Sequence, residues 1–349
     1  MQKTTPLPLH KISGKKIIYP ILIGFGVVGF LLYKKFDVSA FEAVRFTSKS
    51  VLWLFVALLM MATRDIGYMW RIKILTDNEF SWRQSFRVIM LWEFTSSITP
   101  SAIGGTSIAI LYVAKEGISV GRSSAVVMAT SFLDELYFII MFPILLFIIN
   151  TNELFSIGGS LDFKNAFFLF AIIGYSVKLL YIIVLGYGLF KNPRGLKWLL
   201  LWIFKLPILR KWKRGVNQAG TEIIDSSKEL KKKPFSFWLK TFVATFISWT
   251  SRYWVVNALF LAFFVVNDHL LLFARQLVMW IMMLVSPTPG GSGFTEYVFT
   301  EYLGDFLPFA GVAVLMALLW RLATYYPYLF IGAFIVPRWI KSKFGDNKK

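Results

Sequence analysis

The amino-acid sequence predicts an all-α integral membrane protein with six full spans and two re-entrant helical hairpins, arranged as an inverted-topology repeat. Three observations carry that prediction. The 349 residues are 56% hydrophobic and only 16% charged, too little charge to solvate the surface of a soluble domain of this size. The apolar residues fall in runs of spanning length, roughly 17–20 residues or more. The charges, 38 Lys+Arg against 19 Asp+Glu for a net +19, are sorted by position along the chain, as the orientation of membrane spans requires.

The N-terminus is basic (Lys3, Lys11, Lys15, Lys16) and becomes apolar from Ile17 to Tyr33. No small-x-small cleavage site follows, and Lys34-Lys35 closes the run, so a retained first span is expected there rather than a signal peptide. Further runs at Val51–Trp70, Ser123–Ile149, Ala166–Phe190, Thr241–Val266 and Pro308–Pro337 complete six spans. Two more apolar stretches, Phe86–Ala114 and Leu270–Thr300, are broken in the middle. The first breaks at Thr99-Pro100-Ser101-Ala102-Ile103-Gly104-Gly105, the second at Ser286-Pro287-Thr288-Pro289-Gly290-Gly291-Ser292-Gly293. Proline and glycine at that density end a helix. The flanking arms, at 1.5 Å per residue, reach roughly the bilayer midplane. Each break therefore reads as the tip of a re-entrant hairpin, the alternative being an extramembrane loop between two short spans.

Charge gives an independent check. Residues 191–233 hold twelve Lys/Arg against Glu222, Asp225 and Glu229, which assigns the basic loop 191–240 to the cytoplasm. This girdle accounts for much of the net charge and excludes a nucleic-acid footprint. The C-terminal tail agrees, and residues 150–165 and 301–307 carry net negative charge suited to the outer side. Both termini are then cytoplasmic, in an inner (cytoplasmic) membrane. The first broken segment enters from the inside and the second from the outside. Residues 17–149 and 166–337 form two oppositely oriented repeats of a single domain, 1–349, with their tips meeting near the midplane. That is where transporters place their sites.

Chemistry is restricted by what the chain lacks. Cysteine is absent and the two histidines, His10 and His269, are far apart. No disulfide, thiolate zinc site, metal centre or thiol nucleophile is expected, and no cofactor motif stands in context. Gly24-x-Gly26-x-x-Gly29 matches a dinucleotide fingerprint in letters only, since it lies within an apolar run. The protein reads as no enzyme. What remains are ionisable residues inside spans, each costing about 2.5–3.5 kcal/mol on insertion scales. Asp134 and Glu135 fall in the third span, Arg252 in the fifth and Arg321 in the last, with Glu93 before the first tip and Glu296 after the second. Each is either a structural ion pair or a ligand contact. Arg64 and Asp65 lie near the cytoplasmic end of the second span, where snorkelling is the favoured reading. The tips, with Thr99, Pro100, Gly104, Gly105, Pro289, Gly290, Gly291 and Gly293, offer free N–H groups where helices start after the glycine pairs. Thr99, Ser101, Thr106, Ser107, Ser286, Thr288, Ser292 and Thr295 add hydroxyls, a setting for an anionic group or simply for helix caps. The run Leu196–Leu209, with Trp198 and Trp202, reads as a helix lying on the inner leaflet.

Glu93-Phe94-Thr95-Ser96-Ser97-Ile98-Thr99-Pro100 with Gly104-Gly105, then Gly117-Ile118-Ser119, Leu133-Asp134, Pro289-Gly290-Gly291-Ser292-Gly293 with Glu296, and Arg321-Leu322-x-Thr324-Tyr325 together resemble the lysylphosphatidylglycerol synthase transmembrane-region (flippase-like domain) family. The resemblance covers most of the chain and implies lipid translocation: of a phospholipid, an aminoacyl-phospholipid or a lipid-linked precursor. The chain departs from it at Glu135, where members usually carry a basic residue. Only about a dozen residues follow Pro337, so the aminoacyl-transfer domain of lysyl-lipid synthases is not expected.

Arg252 and Arg321 are the expected partners of a lipid phosphate, with Asp134 and Glu296 holding those arginines or meeting a cationic moiety. Partners are therefore membrane lipids of anionic or zwitterionic headgroup, with a lipid-synthesis enzyme as a further partner in the alternative where the protein scaffolds a glycolipid or envelope synthase. A carrier of small soluble anions is the third reading. The hairpins yield a direct test. In a chain without native cysteine, Ser101→Cys and Ser292→Cys should be labelled by impermeant maleimide from opposite sides of the membrane. Labelling of both from one side contradicts the inverted arrangement.

Overall fold

Local capping explains where the helices begin. The computed structural model describes residues 39–99, 104–156, 164–203, 205, 213–283, 291 and 293–344, and regular structure among them is helical. After a short α1 (Ser39–Ala43), Thr47 caps α2 (Ser48–Leu75) in a reciprocal box with Ser50. Ser81 and Gln84 cap α3 (Trp82–Ile98) in the same way. Ser119 caps α5 (Val120–Ile148), which follows α4 (Gly104–Lys115). These side chains satisfy N–H groups that a helix start leaves open. The helices consequently begin a few residues before the apolar runs that mark them.

The second part of the chain continues with α6 (Thr151–Leu154) and α7 (Lys164–Gly186), the latter extended by a π turn to Lys191. Then come α8 (Pro193–Ile203), α9 (Lys213–Lys232) and α10 (Phe235–Phe263). The chain ends in α11 (His269–Met282), α12 (Phe294–Leu303), α13 (Ala310–Thr324) and α14 (Tyr326–Phe344).

Four helical stretches are long and apolar enough to cross a membrane: Ser48–Leu75, Val120–Ile148, Phe168–Lys191 and Ala310–Lys343. The expected span at 17–33 lies outside the described residues. The expected span at 241–266 falls in α10, whose 29 residues extend roughly 43 Å, but Lys240, Ser251, Arg252 and Asn257 dilute its apolar character. The expected last span at 308–337 falls almost wholly within the stretch Ala310–Lys343, which a turn at Tyr325 (φ −126°, ψ −56°) divides into two consecutive helices directly before Tyr326-Pro327. The basic loop is largely helical: α9 packs against α5 and α8, and α8 leaves Trp198 and Trp202 exposed. The broken stretches are helix pairs, α3 with α4 and α11 with α12, whose arms pack on each other. Of their tips, residues 100–103 and 284–290 lie outside the described residues, and with them Pro100, Pro289 and Gly290.

The centre of the fold is the pairing of α2 with α10, the most extensive contact between any two helices. Gly67 makes it close: a Cβ there would meet Ser248 Oγ at 2.3 Å and the Ala244 carbonyl at 3.0 Å. Ser248 in turn donates to the Arg64 carbonyl at 3.1 Å. Outward faces carry large apolar side chains, among them Leu52, Phe55 and Leu59 on α2 and Ile173, Leu180 and Ile183 on α7, as a lipid-facing surface demands. At one end, Glu116 after α4 gathers Arg87 (2.6 Å), Lys343 (3.4 Å) and Trp339 Nε1 (3.3 Å). Burial works to raise the Glu116 carboxyl, but the Arg87 hydrogen bonds and these charges hold it below the usual range. Gly67→Val should overpack the α2–α10 contact and cost about 1–3 kcal/mol, read as a lower melting temperature in detergent; unchanged melting would show that the pairing tolerates added bulk.

Candidate functional site

The arms and the long helices enclose a cavity of about 350 Å³. Its wall draws on α2, α3, α4, α5, α10, α11, α12 and α13, so residues from the first and second halves of the chain meet there. Four arginines line it, Arg64, Arg71, Arg252 and Arg321, together with Glu93 and Asp134.

Helical spacing on α2 places Arg64, Tyr68 and Arg71 on one face, at i, i+4 and i+7. The Tyr68 ring lies between the two guanidinium groups, 4.6 Å from one and 4.7 Å from the other. Arg64 is 1% exposed. It meets Glu93 of α3 at 2.7 Å and Asp65 at 2.8 Å, and donates to the Tyr328 hydroxyl of α14 at 2.8 Å. The Tyr328 hydroxyl in turn donates a hydrogen bond to Asp65 at 2.9 Å. Arg64 Nε is buried without a hydrogen-bond partner. Arg71 grips both oxygens of Asp134, at 2.5 and 3.3 Å, and donates to Thr245 at 3.0 Å. Trp249 Nε1 adds a third bond to the same carboxylate at 2.7 Å. One residue along, Glu135 turns away from Asp134 and takes Lys178 of α7 at 2.8 Å, whose ammonium sits 3.3 Å from the Trp280 ring centre.

The opposite wall is built by α12 and α13. Gly291 and Gly293 adopt φ of 69° and 86°, a region glycine enters without strain. The Gly293 N–H then reaches Glu296 Oε2 at 2.7 Å, while Arg321 donates to Oε1 at 2.8 Å and Oε2 at 3.3 Å. The carboxylate thus caps its own helix and orients the arginine. On the first arm pair, a Cβ on Gly105 would lie 2.0 Å from Ser96 Oγ, so only glycine lets α4 approach α3 there. Thr99 caps the end of α3 in an extended conformation, donating to the Thr95 carbonyl at 2.6 Å. Gly104 opens α4.

Arg252 differs from the other three. It lines the cavity with its guanidinium 5.7 Å from the Trp249 ring, and among the described residues it has no ion pair. Asp134 is held by Arg71 rather than by Arg252. Arg71 and the inward role of Arg64 were missed in the sequence reading, because Trp70 placed that end of the span at the interface. The signal was the spacing 64, 68, 71, which aligns two arginines and an aromatic ring. An arginine with two acids and an arginine with none should respond oppositely to truncation. Arg64→Ala strands two part-buried carboxylates and should cost about 3–5 kcal/mol, whereas Arg252→Ala strands no acid among the described residues and should not lower stability. Thermal unfolding in detergent distinguishes them; equal losses would show that Arg252 has a structural partner.

Comparison with known proteins agrees with this architecture. The family profile described as Lysylphosphatidylglycerol synthase TM region matches residues 17–332. A UPF0104 membrane protein of Archaeoglobus fulgidus is 28% identical over 315 residues, covering 85% of this chain and 90% of that protein. No solved structure matches at a significant level. With the profile running through nearly all its helices, the chain belongs to the lysylphosphatidylglycerol synthase transmembrane-region family of membrane proteins.

Proposed function

We propose that this protein moves lipids between the leaflets of a membrane, taking the headgroup through the cavity while the acyl chains stay in hydrocarbon. The observation that carries this reading is Arg252, a cation on the wall of a cavity between the helices with no acid to pair with among the described residues. Such a charge costs several kcal/mol unless a ligand or water compensates it. A lipid phosphate supplies that compensation with geometry a guanidinium matches bidentately. Arg321, oriented by Glu296, lines the same space. Glu93 and Asp134, each partly open to the cavity, face whatever else the headgroup carries. The hydroxyls of Ser96, Ser97, Thr106 and Thr295 offer further hydrogen bonds.

The wider arrangement is part of the same proposal. Six spans, with the two arm pairs entering from opposite faces, would make 17–149 and 166–337 inverted repeats of one domain. The basic loop 191–240 and both termini would lie on the cytoplasmic side of the inner membrane. Alternating exposure of the cavity would follow from one repeat rocking against the other. The family membership and the apolar outer faces support a lipid over a soluble substrate.

The test is leaflet exchange of fluorescent-tailed phospholipids in vesicles containing the purified protein. Wild type should exchange lipid, and Arg252→Ala should slow exchange roughly 10- to 100-fold, the loss of a charged hydrogen bond worth about 1.5–3 kcal/mol. Exchange of no headgroup by wild type, or equal rates in the variant, would overturn the proposal.

A further inference from the structure

The charges around the cavity balance in number but not in place. Arg71 with Asp134, Lys178 with Glu135 and Arg321 with Glu296 are one-to-one pairs. Arg64 holds two carboxylates, Glu93 and Asp65. Arg252 holds none among the described residues. Five cations therefore face five anions, with one surplus negative charge where α2 meets α3 and one surplus positive charge on α10. Among the described residues the charges around the cavity sum to zero and are polarised.

Resting on the translocation reading, we propose that the headgroup this cavity takes is a zwitterion, one phosphate and one ammonium with no net charge. A singly anionic headgroup would compensate Arg252 but leave the surplus carboxylate unanswered, carrying a net −1 into a low-dielectric interior. A net cationic headgroup leaves the opposite remainder. A zwitterion satisfies both ends and keeps the total at zero. Its phosphate goes to Arg252. Its ammonium goes to Glu93, which gives Oε1 to Arg64 at 2.7 Å and remains 19% exposed, near the ring of Trp92 that also lines the cavity. Aromatic faces suit an ammonium and add nothing for an anion. A volume of about 350 Å³ is at the small end of ligand cavities, a size that suits one compact headgroup.

The experiment is exchange by the wild-type protein in vesicles carrying trace phospholipids with one fluorescent tail and three headgroups: phosphatidylethanolamine, phosphatidylglycerol and lysyl-phosphatidylglycerol. Phosphatidylethanolamine should move about tenfold faster than either of the others, the effect of about 1.4 kcal/mol of selectivity. Glu93→Gln removes the surplus negative charge and should shift preference toward phosphatidylglycerol by a similar factor. Fastest movement of phosphatidylglycerol or of the lysyl lipid by wild type overturns the zwitterion assignment and leaves translocation standing. Movement of none overturns translocation itself. A parallel arm follows uptake of soluble glycerophosphoethanolamine. Uptake without lipid exchange keeps the zwitterion site but makes its ligand a free solute. The wild-type order decides the matter even if Glu93→Gln folds poorly.

Discussion

An arginine held almost fully out of water needs acids brought to it, and Arg64 is the point around which this bundle is organised. Its compensation comes from Asp65 on its own helix, Glu93 on α3 and the Tyr328 hydroxyl on α14. Each of these elements is thereby fixed in rotation as well as position. The α2–α10 pairing is fixed at the same level, since Ser248 bonds the Arg64 carbonyl and Gly67 admits it one turn later. One turn beyond that, Arg71 brings in α5 through Asp134 and α10 through Thr245. A single face of α2 thus sets four neighbouring helices, α3, α5, α10 and α14.

The same logic operates on the far wall with a different device. Glu296 sits in the first turn of α12, where its carboxylate closes on the Gly293 N–H and favours the positive end of the helix dipole. It then has enough charge left to orient Arg321. Left-handed glycines before the helix make that return possible. The outcome is a cavity whose arginines are mostly neutralised by built-in acids, Arg252 being the exception among the described residues and, in the proposed function, the partner of a lipid phosphate.

Much of the helical layout could be read from residue order, because lipid exposure makes whole runs apolar and caps mark their starts. Val51–Trp70 anticipates α2 and Ser123–Ile149 anticipates α5, with Thr47 and Ser119 explaining why the helices begin earlier. The break at Tyr325 was not anticipated, since hydropathy is blind to a turn within an apolar run. Of the site, Glu93, Asp134, Arg252, Glu296 and Arg321 were visible as charges out of place. The expectation that Glu296 holds one of the two arginines matches its pair with Arg321, whereas the partner of Asp134 was not legible. Whether Asp134 meets Arg71 or Arg252 depends on how α5 rotates against α2 and α10, and no local pattern encodes that rotation. Glu135, the departure from the family pattern, is explained by Lys178 on α7, which brings the positive charge from another helix.

Balance of charge in a low-dielectric interior therefore underlies both the fold and the proposed transport. The most direct measurement is a high-resolution structure of the protein in lipid nanodiscs containing phosphatidylethanolamine. The account predicts phosphate density within hydrogen-bonding distance of the Arg252 guanidinium, with the headgroup amine turned toward Glu93. Arg252 paired to a carboxylate of the chain, with no headgroup in the cavity, would contradict it.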